Sequence, residues 1–562
     1  MLLSQSTSLK INPWVLMGIF VLLVGPFALD FHMHYPDEIY YRDAAINMLR
    51  NGDYLTTYLG SEELRFKKPI LTYWSVLTGF KLFGVNAFAS RIFFLLAGAI
   101  TVGLTHRMGK ILFEDRKVAD ISALIMASNP VLILSAGRSI PDVLLVMTLT
   151  IASLGIAALL KQGNSAPKWA VWSLYLGLAL AFEVKGLPAA ALGILAILYL
   201  LLNPWQRIHW KNIIHLPAIL LSLGIALFWF VAMWYIHGPT YLDSFLEDQV
   251  GIRVASRLWL IVQNGLLAAA VLLLIFIPWI FFPLGKLREG IRKISRENPQ
   301  FLGFIILWGL AILGMSALTS KFYERYLLPV APVLAVGLAW LLVRINLEHK
   351  IRRQKITAWI FIGLSALIWT LSLGLFLKNP IGFLTALKLG LGAVVGMYLI
   401  SLLRRQIKLP KVIAFAFLLI FLLLSTITDH LSFPHQGAQF KAQLENTIPK
   451  SETQRVAFFG NLHVGSKIRM SLFPTVELID LNRETWRESL ENYDQLILED
   501  RFLEEIDSSQ FEVFAESING KSSAIPELLW AEGTAQYPAV LEKNAKRYFW
   551  LKRKSPRFLE GD

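Results

Sequence analysis

Apolar residues along this chain come in long uninterrupted runs rather than in the short alternations of a soluble fold. Runs near 11–31, 88–107, 118–135, 140–160, 169–182, 187–203, 215–236, 259–283, 300–318, 326–343, 356–376, 382–402 and 411–428 approach the roughly 20 residues a helix needs to cross a hydrocarbon layer. The pattern predicts thirteen transmembrane helices, the pair on either side of Lys185 being short. A further apolar stretch at 70–84 contains Lys81 and Gly84, and it predicts a re-entrant or interfacial helix rather than a span. Between the first two runs lies a long polar stretch, 32–74. Its acids Asp37 and Glu38 follow the first span almost at once and are expected at a membrane surface. Behind them Tyr41, Ala44, Ala45, Met48 and Leu49 recur near the helical period, which predicts a short amphipathic helix along the interface. The stretch closes on Phe66-Lys67-Lys68-Pro69 and a Tyr73-Trp74 pair suited to the bilayer edge.

After residue 429 the pattern changes to that of a soluble α/β domain. Strands are expected at 455–460, 476–480 and 493–500, a helix at 482–491 capped by Asn482 or Asp480, and an edge strand at 548–554. Gly460, Asn461, His463 and Gly465 suggest a strand-to-loop turn, but there is no GxGxxG or Walker motif, so no nucleotide cofactor is expected, and His463 reads as structural or exposed. The fold class is thus a mostly α polytopic membrane protein: residues 1–429 form the membrane domain, with its first outer loop at 32–87, and 430–562 form the α/β domain.

Composition agrees, with 55% hydrophobic and 17% charged residues. The formal charge of +14 invites a nucleic-acid reading, but its distribution excludes one: residues 430–562 hold 16 Lys/Arg against 20 Asp/Glu, so the whole excess lies in the membrane part. It gathers in Arg107/Lys110/Arg116/Lys117, Arg207/Lys211, Lys286 to Arg296, Lys350 to Lys355 and Arg404 to Lys411. These loops alternate with cation-poor ones, and cation-rich loops stay in the cytoplasm. Thirteen spans then put the N-terminus inside and the first loop and tail outside. The first span reads as uncleaved, with only Lys10 ahead of it. With no cysteine there is neither a disulfide nor a cysteine metal site.

The outer face therefore collects Asp37 and Glu38, Arg138 and Asp142, Glu183 and Lys185, the 237–257 loop, and Lys321 to Tyr326. Ionised groups at the ends of apolar runs are costly unless paired or facing a polar cavity, and their gathering on one side points to one cavity at the outer membrane surface. Acids at its entrance can deprotonate an acceptor or help hold a metal. Arg138, Lys185, Lys321 and Arg325 can neutralise phosphate oxygens. Tyr41, Tyr73, Trp74 and Tyr323 can stack on a sugar or anchor the interface. The set suits transfer of a group off a lipid phosphate. A lipid or glycan transporter would instead need charges and broken helices near the midplane, and a scaffold would need no intramembrane charge.

These stretches resemble the GT-C glycosyltransferases of family 39, the protein O-mannosyltransferases and ArnT-like aminoarabinose transferases. The motifs that carry the resemblance are Asp37-Glu38, Asn51-Gly52-Asp53 with FKKPILTYW (66–74), GRSIPD (137–142), EVKGLP (183–188) and SKFYERYLLPVAP (320–332). The resemblance implies an inverting membrane glycosyltransferase with a polyprenyl-phosphate sugar donor and a lipid or envelope glycan acceptor outside the bacterial cytoplasmic membrane; a protein acceptor is the alternative. It implies Asp37 as general base or acceptor-positioning group with Glu38 beside it, and Asp142 as a second essential acid. Lys68, Lys185, Lys321, Arg138, Arg325 and Tyr326 would form the donor phosphate site. Lys67 stands where the family has a glutamate tied to a divalent metal, so a divalent ion stays an open cofactor candidate, with Asp37 and Asp142 as its ligands. The loop at 245–256 lacks the family's histidine, and Gln249 lies near that place.

Overall fold

The computed structural model describes residues 10–29, 36–61, 63–247, 258–345, 351–378, 380, 382–406, 408–430, 435–444, 453–507, 509–519 and 546–554, with isolated residues between 520 and 545. Each predicted apolar run is helical. Eight helices among the described residues are long and apolar enough to cross a membrane. Two more, α5 (Arg116–Ala127) and α6 (Pro130–Ala136), form one run bent by 58°. Pro130 has no amide to continue the helix, and Asn129 caps the second half by accepting from Leu132 N. The runs α1 (Pro13–Ala28), α9 (Leu187–Leu202) and Leu258–Leu274 are shorter, and α8 (Lys168–Lys185) has 18 residues with charges at both ends.

The chain reverses at each end of this bundle, so alternate helix ends share a face. At one end Lys411 donates to Lys10 O, Lys161 meets Glu114 and Arg344 meets Glu297. This face carries the cation-rich loops. The opposite end carries the first loop and the C-terminal domain, which touch each other directly.

The helix α2 (Glu38–Asn51) corrects one expectation. It does not lie along an interface with a polar face in water: residues Glu38 to Met48, Tyr40 aside, are buried, Arg42, Asp43 and Asn47 included. Its apolar positions pack on the membrane bundle, Glu38 turns to Arg91 of that bundle, Asn47 donates to Gly60 O of the first loop, and Asp43 is covered by the C-terminal domain. Gly52 ends it in the left-handed conformation. The 70–84 stretch is α3 (Leu71–Phe83), too short to span and packed on α2 and α4 (Ala87–Phe113).

The helices α7 (Pro141–Gln162) and α8 pack closely along their length. A Cβ on Gly177 would lie 2.4 Å from Ala152 N, so the two backbones meet where no larger residue fits.

Two short strands of the first loop, β1 (Tyr58–Leu59) and β2 (Glu63–Leu64), pair with each other, and the last long helix ends at His430. A five-stranded sheet follows, made of β3 (Gln454–Phe459), β4 (Val476–Asp480), β5 (Gln495–Glu499), β6 (Phe511–Asn519) and β7 (Lys546–Arg553) in the order β4-β3-β5-β7-β6. The first three are parallel, and β7 is antiparallel to both neighbours. Val456, Phe458 and Ile497 face the helices Gln436–Leu444 and Leu462–Leu472, while Ala457, Phe459, Leu496 and Leu498 face Trp486. The final strand is interior rather than an edge: Tyr548 and Trp550 bury on one face and Leu551 on the other, and β6 takes the edge. Only Trp486–Ser489 and a 3-10 turn form at the expected 482–491 helix, and the presumed binding turn is the start of the Leu462–Leu472 helix, capped by Asn461.

Candidate active site

Four chain segments deliver charged side chains to one place at the end of the bundle that meets the C-terminal domain. Asp142 is the second residue of α7, where the helix dipole favours an anion; Lys185 is the last of α8, where it favours a cation. Their antiparallel packing puts Lys185 Nζ 2.7 Å from Asp142 Oδ1. The chain leaves Lys185 through Gly186 at φ +72°, and a Cβ there would come 2.9 Å from the Phe245 ring. Arg325 comes from a 3-10 turn, Glu324–Val330, tethered by Trp308 Nε1 donating to Pro329 O at 3.1 Å. Its Nε lies 3.1 Å from Asp142 Oδ2 and its Nη2 donates to Asp37 Oδ2 at 3.2 Å. Asp37 itself is the residue before α2. One guanidinium therefore spans the two acids that the sequence singles out, 105 positions apart.

The two acids have different surroundings. The Asp142 side chain is 6% exposed and holds two cations; that of Asp37 is 42% exposed and meets Arg325. Rings orient the cations: the Arg325 guanidinium sits 4.0 Å over Tyr323, Lys185 Nζ 4.8 Å from the Tyr326 centroid and Lys321 Nζ 5.3 Å from that of Tyr323.

These groups line a cavity of about 630 Å³. Asp37, Tyr41, Lys68, Asp142, Lys185, Lys321, Tyr323, Arg325 and Tyr326 all reach it. So do Tyr40, Arg65 and Lys67, which were not assigned a binding role from sequence; Arg65 stacks 3.6 Å over Tyr40. The run Arg65-Phe66-Lys67-Lys68 was the available signal, three cations around one buried phenylalanine. Ser316, Thr319 and Ser320 continue the polar lining beside Lys321, and much of the rest is apolar: Leu145, Leu192 and Ile312 lie a turn or more inside their helices. The cavity is thus a polar mouth continued by a mostly apolar slot into the helix bundle.

Four predicted residues lie elsewhere. Glu38 is fully buried and turned from the cavity; its carboxylate takes Arg91 Nε at 2.8 Å, Arg91 Nη2 at 2.7 Å, and Ser139 N and Oγ. Burial alone would raise its pKa, but Arg91, with Arg42 and Ser139, holds it below the usual carboxylate range. Neighbouring residues of a helix point about 100° apart, which is why only one acid of the pair can face the site. Arg138 pairs at 3.7 Å with Glu324, the first residue of the 3-10 turn. Tyr73 is buried behind Tyr41, ring centroids 4.9 Å apart, so it backs the cavity wall without reaching it. Trp74 donates to Tyr54 O at 2.8 Å and anchors α3 to the preceding loop. Gln249 lies outside the described residues. Burial and then Tyr73 raise the Tyr41 phenol well above its ordinary pKa, so it faces the cavity as a neutral hydroxyl.

A divalent ion at Asp37 and Asp142 does not fit this donor set. Among the described residues no three His, Asp or Glu side chains gather to hold one. Arg325 occupies the bridging position between the two carboxylates, and Lys185 takes the remaining Asp142 oxygen. The fixed cations already supply the charge a metal would bring.

Residues 67–236 match the family described as dolichyl-phosphate-mannose-protein mannosyltransferase. An uncharacterized protein of Aquifex aeolicus is 25% identical over 432 residues, covering 75% of this chain and 80% of that one. The undecaprenyl phosphate-alpha-4-amino-4-deoxy-L-arabinose arabinosyl transferase 2 of Pseudomonas fluorescens is 26% identical over 383 residues, 65% of this chain and 63% of that one. The match thus spans just under two thirds of that transferase. The crystal structure of ArnT from Cupriavidus metallidurans bound to undecaprenyl phosphate superposes with a TM-score of 0.65 at 18% identity, over 89% of this chain and 96% of that one.

Proposed function

We propose that this chain, a homologue of the aminoarabinose transferases with the GT-C fold of ArnT, moves a sugar from a polyprenyl-phosphate donor to a lipid or glycan acceptor at the outer face of the bacterial cytoplasmic membrane. One observation carries the reading: Arg325 joins Asp37 and Asp142 at the mouth of a cavity whose deeper wall is mostly apolar. The slot suits a polyprenyl tail. Lys185, Lys321, Lys68 and Arg325 suit its phosphate, and Tyr326 packs on the Lys185 ammonium. Tyr41 and Tyr323 are left to contact the sugar or the acceptor.

In this reaction the acceptor oxygen attacks the anomeric carbon while the bond from that carbon to the phosphate oxygen breaks. Attack from the face opposite the leaving group inverts the carbon. The acceptor proton passes to Asp37, the more exposed carboxylate, and the bonding pair leaves with the phosphate. Phosphate is a good leaving group, so the cations need only stabilise the charge that develops on it. Asp142 is saturated by Lys185 and Arg325, and its role is to aim them. No step calls for a metal.

The sidedness belongs to this reading: the N-terminus and cation-rich loops are inside, and the first loop and the α/β domain are outside. The family description favours a second acceptor class, a protein hydroxyl, at the same site. Transport is less favoured, because the charges gather at one end of the helices rather than at the midplane. The test is purified protein with a panel of polyprenyl-phosphate sugars, reading released polyprenyl phosphate and the mass of endogenous lipid acceptors. Sugar release from no donor, with Asp37→Asn and wild type alike, overturns the reading.

A further inference from the structure

The C-terminal domain meets the membrane domain through α2, the helix that Asp37 immediately precedes. At the centre of the contact is Arg469, on the Leu462–Leu472 helix, with no exposed surface. Its Nη1 donates to Asp43 Oδ2 of α2 at 2.7 Å, and its Nη2 donates to Asp480 at the end of β4. Asp43 is also fully buried. A guanidinium and a carboxylate held without water must keep each other, because loss of either leaves a buried charge alone. Further contacts brace the seam. Arg50 Nη2 donates to Val476 O at 2.7 Å, and Ser61 Oγ accepts from Asp480 N at 3.0 Å. Met470 and Phe473 pack into the apolar cluster of the membrane domain, and beside them Asn47, Arg50, Arg455 and Glu477 line a cavity of about 280 Å³. Apolar packing holds the two domains together, and the directional hydrogen bonds set their register.

The geometry of α2 makes this matter for the reaction. Glu38 pins the first turn of α2 to Arg91 and Ser139 of the membrane domain. Packing on α3 seats the body of the helix, and Asn47 donates to Gly60 O further along it. Asp43 lies five residues after Glu38, about 140° round the helix and about 7.5 Å along it, so its bond to Arg469 is a second pin on another face. Two such pins fix both the tilt and the rotation of α2, and with them the carboxylate of Asp37. None of the donor-phosphate cations Lys185, Lys321 and Arg325 is on α2.

We propose that Arg469 is a positioning residue for catalysis, through which the C-terminal domain holds α2 so that Asp37 faces the acceptor. This rests on the transferase reading above and gives the α/β domain a part in the reaction rather than a place beside it. Arg469 touches neither substrate.

The experiment uses the full-length protein in detergent or nanodiscs, with wild type, Asp37→Asn, Arg469→Gln and Arg469→Lys. Polyprenyl-phosphate affinity and stoichiometry are measured beside kcat and the KM for acceptor. Arg469→Gln is expected to bind polyprenyl phosphate with wild-type stoichiometry and within about threefold in affinity, while kcat falls tenfold or more and acceptor KM rises. Arg469→Lys keeps one of the two ion pairs and recovers part of the loss. A variant that merely fails to fold loses donor stoichiometry in proportion to activity. In that event Asp43→Asn, which keeps a hydrogen-bonding side chain of the same size, is read instead, with the same expectation. Wild-type kcat in a folded Arg469→Gln, or equal proportional losses of activity and donor stoichiometry in all three seam variants, overturns the proposal. Wild type without any transfer overturns the transferase reading itself, and is told apart because it fails before the seam is altered.

Discussion

At the scale of single residues, the adjacent acids Asp37 and Glu38 do different work. Asp37 keeps free surface at the cavity mouth, while Glu38 is enclosed by Arg91 and Ser139. Asp37→Asn is expected to lower kcat for sugar transfer by about 10²–10⁴-fold, the usual range for a positioned general base, with polyprenyl-phosphate binding retained. Glu38→Gln should leave a buried guanidinium without its counter-charge and destabilise the protein by about 3–5 kcal/mol, read as a lower thermal midpoint in detergent. The folded carboxyl of Glu38 has a pKa below its unfolded value. Its contribution is therefore complete above the unfolded value, about 4.3, and is lost as pH falls below it. The difference in stability between wild type and Glu38→Gln should be flat from pH 8 to 5 and shrink below about pH 4.

At the scale of elements, the site depends on α7 and α8 touching backbone to backbone. Gly177→Leu would drive a side chain into Ala152 and separate the helix ends that carry Asp142 and Lys185. Overpacking of this kind costs about 1–3 kcal/mol or more. Polyprenyl-phosphate affinity should fall with thermal stability, whereas the same substitution at Gly224, where a Cβ would meet nothing within 4 Å, should change neither. The 3-10 turn that carries Arg325 has a further consequence. Its guanidinium stands between the two carboxylates, so transfer should survive dialysis against EDTA; activity abolished by chelation and restored by a divalent ion would refute the metal-free reading.

At the scale of the whole molecule, the first loop and the C-terminal domain share one end of the bundle, and the cation-rich loops share the other. The chain has no cysteine, so single introduced thiols report sidedness without background. Ser509→Cys, exposed beside β6, should react with an impermeant maleimide in intact spheroplasts. Ser295→Cys, exposed among the cations of the Leu287–Glu297 helix, should react only after permeabilisation. The opposite pattern would place the cavity on the cytoplasmic side and overturn transfer from a polyprenyl-phosphate donor at the outer face.

Some of this was readable one residue at a time. Apolar runs approaching the thickness of a bilayer can only be helices, because a lipid-facing backbone must satisfy its own hydrogen bonds, and all thirteen runs are helical. Charges stranded at the ends of such runs marked Asp142, Lys185 and Lys321 for the same reason, and all three reach the cavity. Short runs of strand-forming residues marked β3, β4 and β5, which bury side chains on both faces of the sheet. Other features were decided only in three dimensions. Periodicity gives α2 an apolar face, but it does not tell water from a second domain as the cover of the polar face, and here the cover is a domain more than 400 positions away. Nor does adjacency in sequence choose which of Asp37 and Glu38 faces the cavity; the rotation of α2 makes that choice, and it is set by Arg91 and Arg469, whose partners are far off in the chain.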